Sequence, residues 1–284
     1  MNKGKIADFE GYITKNDKIN ENYYLLGISR PTNFNAEPGQ FINIKIEPQS
    51  LEPFLRRPFS VFYIDDYEIG ILYQVKGEGT KVLSTKKNGS KLDVIGPLGK
   101  GFPVEFDKLS TFDVAFFIGG GIGIAPLIFY AKTLKESLNF PNLFLIYGMR
   151  DESYLLPEDY LKYFFSSIFF SFEKRLFYTD DYLTGCSCQA IVGNAIDVLK
   201  TEEFNKLLER FKNPLFAVCG PDPMLKSFLR WNELKNYESF LSLESFMGCG
   251  FHACLGCAVS KKNDGYLYLC EDGPVVYYKD IQLE

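Results

Sequence analysis

No long basic stretch runs through this chain of 284 residues, in which 31 lysines and arginines stand against 36 aspartates and glutamates, a formal charge of -5, beside a single histidine. Nucleic-acid binding needs a concentrated positive surface, so that class fits poorly. The first residues, MNKGKIADFEGYITKND, carry a little basic charge but no apolar h-region, so they do not read as a signal peptide. The longest apolar stretches are broken by glycines, as in VAFFIGGGIGIAPLIFY, which reads as buried strand, turn and helix and not as a membrane span. An even cysteine count is missing too: seven cysteines in a chain of this kind are not a disulfide framework. The expectation is a soluble cytoplasmic protein with neither membrane nor nucleic acid as partner.

What is present divides into three parts. Residues 1–105 hold short runs rich in Ile, Val, Tyr and Phe, separated by turns such as EPGQ and KKNGS. The six runs, KIADFEGYI, NYYLLGIS, QFINIKI, FSVFYI, EIGILYQV and KLDVIGPL, predict a small closed barrel, with a short helix in GTKVLSTKK. Residues 106–243 alternate strand and helix: VAFFIGG, NLFLIYG, RLFYTDD and PLFAVCG as buried parallel strands, with helices between them, including DESYLLPEDYLKYFFSS and 194–211. Residues 244–284 contain SFMGCGFHACLGCAV and a hairpin-like VSKKNDGYLYLC with Asp264-Gly265 at its turn. So short a segment cannot build much of a core, and an inorganic staple explains how it folds.

The cysteine spacing in that segment is Cys249-x4-Cys254-x2-Cys257-x12-Cys270. Plant-type [2Fe–2S] sites use a C-x4-C-x2-C loop and a distant fourth cysteine. The chemistry needs soft thiolates on ferric iron and a loop that aims N–H groups at sulfur, for which Gly250 and Gly256 leave room. Structural zinc also accepts four thiolates, but more often through paired C-x2-C units or histidines. His252 lies inside the loop and reads as a loop residue, since four cysteines already complete a ligand set.

Gly119-Gly120-Gly121-Ile122-Gly123 follows a buried strand and opens a helix at Ala125-Pro126. Bare backbone there lets a pyrophosphate approach the helix N-terminus; the alternative is a tight strand-to-helix turn with no ligand. No acidic residue after NLFLIYGMR clearly suits a ribose, with Asp151 a weak candidate. Cys219-Gly220-Pro221 ends another strand, where a small polarizable side chain can sit near a nicotinamide ring or simply be a buried thiol. In the first part, Arg56-Arg57-Pro58-Phe59-Ser60 offers guanidinium groups for phosphate and a hydroxyl for a ring nitrogen. Gly79 and Thr80, after the strand Leu72-Tyr73-Gln74, can present N–H groups and a hydroxyl to a diphosphate. The bland counterpart is an ordinary barrel strand and an N-capped helix.

Together these motifs resemble the ferredoxin–NADP reductase superfamily, and within it the electron-transfer subunits of type 1B dihydroorotate dehydrogenases. The resemblance covers nearly the whole chain. It matches R-R-P-x-S at Arg57, Pro58, Phe59 and Ser60, then Leu72, Tyr73 and Gln74, then Gly79 and Thr80. GGGIGIAP with Gly120, Gly121 and Gly123, CGPDPML with Cys219 and Gly220, and C-G-x-x-x-C-L-G-C follow in the family order. The fold class this implies is α+β multidomain: a flavin-binding antiparallel β-barrel (1–105), an α/β nucleotide-binding domain with a parallel sheet (106–243) and a small C-terminal [2Fe–2S] module (244–284). It further implies FAD and a [2Fe–2S] cluster on Cys249, Cys254, Cys257 and Cys270, and no catalytic acid–base residue. The implied partner is an FMN-containing catalytic subunit, in a heterotetramer with two of each chain. Electrons would run from dihydroorotate through FMN, [2Fe–2S] and FAD to NAD+, in pyrimidine biosynthesis. NADH is favoured over NADPH because no arginine cluster marks a 2′-phosphate site. The alternative is the small subunit of an NADH-dependent ferredoxin:NADP oxidoreductase or a sulfide dehydrogenase. The chain departs from the pattern at His252, which replaces a glycine of C-G-x-G-x-C, and at Cys186 and Cys188, read as surface thiols. The aromatic run KYFFSSIFFSF (162–172) is either core or a contact patch.

Overall fold

A computed structural model describes residues 6–50, 52–174 and 188–283. Its first sheet is built from β1 (Ala7–Lys18), β2 (Tyr23–Ser29), β3 (Phe41–Lys45), β4 (Arg57–Ser60), β5 (Tyr63–Ile64), β6 (Glu68–Gln74) and β7 (Lys91–Leu98). All pairings are antiparallel, in the order β4-β3-β7-β1-β2-β6-β5. Ile13, Leu26, Ile28, Ile42, Ile44, Ile71 and Val94 fill its concave side.

Two expectations change here. The run FSVFYI is two strands, not one, and the ladder is a half-barrel, not a closed ring. Val61 N–H donates to Gln40 O and Phe62 N–H to Gly70 O, at 3.0 and 2.8 Å, so the chain leaves β3 and crosses to β6 within two residues. The two edge strands are therefore consecutive in sequence, and the corner between them joins the sheet's edges.

The second sheet contains β8 (Val114–Gly120), β9 (Leu143–Met149), β10 (Ser167–Phe172), β11 (Cys188–Val192), β12 (Pro214–Cys219) and β13 (Glu238–Ser242), all parallel, in the order β11-β10-β9-β8-β12-β13. Every residue of β8, β9 and β12 is buried, as expected of strands covered on both faces. The helices Ile124–Leu138 and Asp222–Lys235 follow β8 and β12. No helix among the described residues is long and apolar enough to cross a membrane.

The stretch DESYLLPEDYLKYFFSS is not helical. It makes short 3-10 turns at Glu152–Tyr154 and Glu158–Tyr160, because Leu155 and Pro157 are extended and interrupt any helix. β10 begins at its last residue, Ser167, and the Phe169, Phe170 and Phe172 that follow are core. The third strand among the described residues is thus Ser167–Phe172, while all of RLFYTDD (175–181) and Cys186 lie outside the described residues. Cys188 opens β11 and is disulfide-bonded, so it is not the surface thiol expected. The helical span 194–211 is two helices, Ala195–Val198 and Glu202–Leu208, the second capped by Thr201.

The C-terminal residues form β14 (Ala258–Ser260) and β15 (Tyr266–Tyr268), an antiparallel pair with Asp264 and Gly265 at positive φ. Then β16 (Val275–Tyr277) pairs antiparallel with β13, at the edge of the parallel sheet. Cys257, Leu269, Cys270 and Val276 share one core with Phe41 and Leu98 of the half-barrel and with Phe216 and Leu241 of the second sheet. The cysteine segment is packed into the angle between the two sheets.

Candidate functional site

Two cavities, of about 260 and about 320 Å3, lie between the half-barrel and the carboxyl ends of the parallel strands. They share Gln74, Lys76, Ile122 and Glu244, so they form one continuous cleft. Joined, they fall within the range of about 300–1,000 Å3 typical of small-molecule sites.

The sequence candidates gather there. Pro58, Phe59 and Ser60 from β4, Leu72, Tyr73 and Gln74 from β6, and Thr80 line the first cavity, facing Gly123 and Cys219 of the other sheet. Gly120, Gly121 and Gly220 line the second. Tyr73 also belongs to the barrel core, where its hydroxyl donates to Asn16 Oδ1 at 2.9 Å.

Arg57 and Gly79 stand beside those walls. Of the two arginines, Arg56 is committed to Asp93 at 2.7 Å, whereas no carboxylate among the described residues is paired with Arg57. A Cβ on Gly79 would come within 3.0 Å of Arg57 Nε, so the bare residue lets the guanidinium lie over the start of the helix Glu78–Thr85. The first N–H groups of that helix have no intrahelical acceptor. A cation held by backbone carbonyls but without a carboxylate partner, above unpaired N–H donors, is a cradle for a diphosphate. The Thr80 hydroxyl is not available for it: it accepts from the N–H groups of Lys76 and Gly77 and so fixes the loop.

The two glycine turns touch each other. A Cβ on Gly123 would sit 2.4 Å from Cys219 O, and one on Gly220 would sit 3.1 Å from Gly120 N and Cα. Close packing of β8 and β12 turns thus explains these glycines, and it is this packing that shapes the floor of the cleft. Cys219 is buried and its thiol is pushed up to about 12 by that burial and by Glu244, so it stays neutral. Asp151 is occupied by its own turn, accepting from Ser153 N at 3.0 Å. The acid in the cleft at the carboxyl end of β10 is instead Glu173, near Arg150. Sequence reasoning missed Glu173 because it placed the third strand too late, and missed Glu244 and Met247 because it did not see β13. Lys76, the remaining unforeseen lining residue with a charge on the barrel side, carries no motif by which to find it.

The four cysteines lie at the end of the second core. Cys257 and Cys270 are buried with their sulfurs 3.3 Å apart, and Cys254 is exposed. Cys249 Sγ accepts from Ala253 N at 3.3 Å and Cys254 N at 3.4 Å; Cys270 Sγ accepts from His252 N at 3.1 Å. Positive φ at Gly250, His252 and Leu255 turns these N–H groups inward. The backbone at His252 is thus the one a glycine adopts readily, and His252 keeps it while pairing with Glu271 and packing on Tyr268 at 4.8 Å. Burial opposes ionisation of Cys249, but the N–H groups of Cys254, Phe251 and Ala253 outweigh it and draw the thiol down. Burial and the adjacent Cys257 hold Cys270 up.

Among the described residues no three His, Cys, Asp or Glu side chains gather round one point as a single metal ion requires. The thiols form two pairs, Cys249 with Cys254 and Cys257 with Cys270. Two pairs suit two irons better than they suit one tetrahedral zinc.

Residues 244–282 match the iron-sulfur cluster binding domain of dihydroorotate dehydrogenase B. The dihydroorotate dehydrogenase B (NAD(+)) electron transfer subunit of Bacillus velezensis is 33% identical over 257 residues, covering 87% of this chain and 88% of that one. The protein of the same description from Fusobacterium nucleatum is 34% identical over 250 residues, covering 87% of each. Among solved structures, an NADH-dependent reduced ferredoxin-NADP oxidoreductase chain superposes with a TM-score of 0.76 at 24% identity, covering 96% of this chain and 90% of that one, a likeness of fold. On its identity and coverage, this chain belongs to the family of dihydroorotate dehydrogenase B (NAD(+)) electron transfer subunits.

Proposed function

We propose that the chain carries electrons between an FMN-containing dihydroorotate dehydrogenase subunit and NAD+, holding a [2Fe–2S] cluster on Cys249, Cys254, Cys257 and Cys270 and FAD in the cleft. The observation that carries this reading is that the cysteine segment and the lined cleft both abut one strand pair, β3 and β4, with Phe41 belonging to the core that holds Cys257 and Cys270 and also to the cleft wall. The bound groups supply the redox chemistry, the cluster taking one electron at a time and the flavin exchanging a hydride with nicotinamide.

The chain's residues do the rest. Arg57 and the N–H groups of Gly79 and Thr80 hold the diphosphate. Ser60 and Gln74 face the flavin ring, and Pro58, Phe59, Leu72 and Tyr73 wall it from water. Gly120, Gly121 and Gly220 let the second nucleotide approach the ends of β8 and β12, and neutral Cys219 packs where the nicotinamide would lie. No general acid or base is needed on this chain, because the reaction asks only for position and dryness. The working division is 1–105 for FAD, 106–243 for NAD and 244–284 for the cluster. A heterotetramer, with two catalytic and two electron-transfer chains, is the expected assembly.

The test is anaerobic spectroscopy of the chain purified with its FMN subunit. Dihydroorotate should bleach the flavin and iron–sulfur bands, and NAD+ should then restore them as NADH forms. Bands that ignore dihydroorotate but respond to NADH would assign the chain to a different electron-transfer complex.

Glu173 gives a second expectation. An acid at the carboxyl end of a parallel strand accepts from a ribose 2′-hydroxyl and repels a 2′-phosphate. Glu173→Gln should therefore narrow the NADH-over-NADPH preference in kcat/KM by about tenfold, the value of one lost charge-assisted hydrogen bond. An unchanged ratio would place the ribose elsewhere.

A further inference from the structure

β3 alternates two kinds of environment. Ile42 and Ile44 face the barrel core, while Phe41 faces the core that holds Cys257 and Cys270. Asn43 lies on that second face, fully buried, in the middle of the strand. Its Nδ2 donates to Cys249 O at 3.1 Å, and only the amide nitrogen can face a carbonyl. Its Oδ1 is buried with no hydrogen-bond partner. Gly250 fits the contact closely: a Cβ there would stand 2.4 Å from Asn43 Nδ2.

Stability alone does not account for this residue. A buried amide with half its capacity unspent is worse for the fold than a well-packed apolar side chain would be. What Asn43 does provide is a fixed link. Its cross-strand partner is Pro58, and Ile42 and Phe41 pair with Phe59 and Ser60. Pro58, Phe59 and Ser60 are the wall of the cleft. From the Cys249 carbonyl to that wall runs one hydrogen bond, one side chain and one antiparallel ladder.

We infer that Asn43 is a positioning residue that latches the thiolate loop to the flavin-binding strands, and that it sets how efficiently electrons pass between the two sites. The inference rests on the function proposed above. With NADH as donor, a hydride would bring two electrons and a proton to the flavin and leave NAD+; one electron would then pass to one ferric ion, while the other would stay on the flavin and the proton on the flavin or in solvent. Asn43 acts on the second transfer only.

The test compares Asn43→Leu with the parent protein by anaerobic stopped-flow, following flavin and iron–sulfur bands separately after mixing with NADH. The expected result is flavin reduction at the parental rate, full iron and flavin content, and cluster reduction slowed fivefold or more. Amide exchange across 249–257 in metal-free protein should also rise at least tenfold, because the latch is lost whether or not iron is bound. Should the leucine variant fail to hold its cluster, Gly250→Ala provides the second arm: it pushes the loop off Asn43 from the other side and should slow the same step. Cluster reduction within twofold of parental in a fully loaded Asn43→Leu protein, or unchanged exchange in the loop, overturns the inference. A parent protein without iron–sulfur bands would instead overturn the underlying function.

Discussion

Serine in place of Cys254 should yield a folded protein that binds flavin and holds no iron. Cys254 is exposed and packs into no core, so the metal-free fold does not depend on it. It is one half of the Cys249–Cys254 pair, and without it one iron loses a thiolate ligand. Iron and sulfide analysis should read near zero, with flavin content intact. Cys257→Ser should lose iron equally but behave differently without it. Cys257 is 3% exposed and belongs to the core between the sheets. A hydroxyl there is a buried polar group beside sulfur, and the metal-free variant should be less stable by about 1–3 kcal/mol. Urea unfolding of the two metal-free variants checks the contrast. Equal midpoints would mean that Cys257 is not part of the core that joins the segment to the sheets, and loss of flavin from the Cys254 variant would mean the two sites do not fold independently.

The second large effect concerns Arg57. Its guanidinium has no acidic partner among the described residues and lies against Gly79 at the start of a helix. A hydrogen bond to a charged group is worth about 1.5–3 kcal/mol, so Arg57→Ala should weaken FAD binding by roughly 10–150-fold. Arg56→Ala is the control. Arg56 is held by Asp93 through both its carbonyl and its carboxylate, at 2.8 and 2.7 Å, and belongs to the barrel. Its loss should lower stability by no more than about 1 kcal/mol and leave FAD affinity within about threefold. Fluorescence titration of the two variants separates a ligand contact from a structural pair. Equal weakening by both would move the diphosphate away from Gly79.

How legible was all this in the sequence? The cysteine spacing and the glycine turns were readable because each depends on backbone geometry that few residues tolerate. The strands VAFFIGG and PLFAVCG were readable because a strand buried on both faces needs an unbroken apolar run. The sequence misplaced β10 because SIFFSF runs on without a break from the aromatic stretch read as helix, and a short apolar run does not by itself distinguish strand from helix. That displacement hid Glu173. β13 and β16 were hidden for another reason: ESFLS and VVY are five and three residues long, and so short a strand is defined by its partner. Asn43 was invisible for the same cause, since nothing in QFINIKI says which side of the strand meets a loop two hundred residues away.

The pairing of β13 with β16 has one more implication. Ser242 lies opposite Val275, and Leu243 N–H donates to Pro274 O at 2.9 Å, so both ends of the cysteine segment are clasped at a single point of the sheet. Topologically, everything between them is an excursion from what could be a plain hairpin. Closing such a loop grows costlier only slowly with its length. A lineage could therefore acquire or discard the whole segment as one cassette, keeping the sheet beneath it intact, and a ribosome completes that sheet's edge only after the last cysteine has been made.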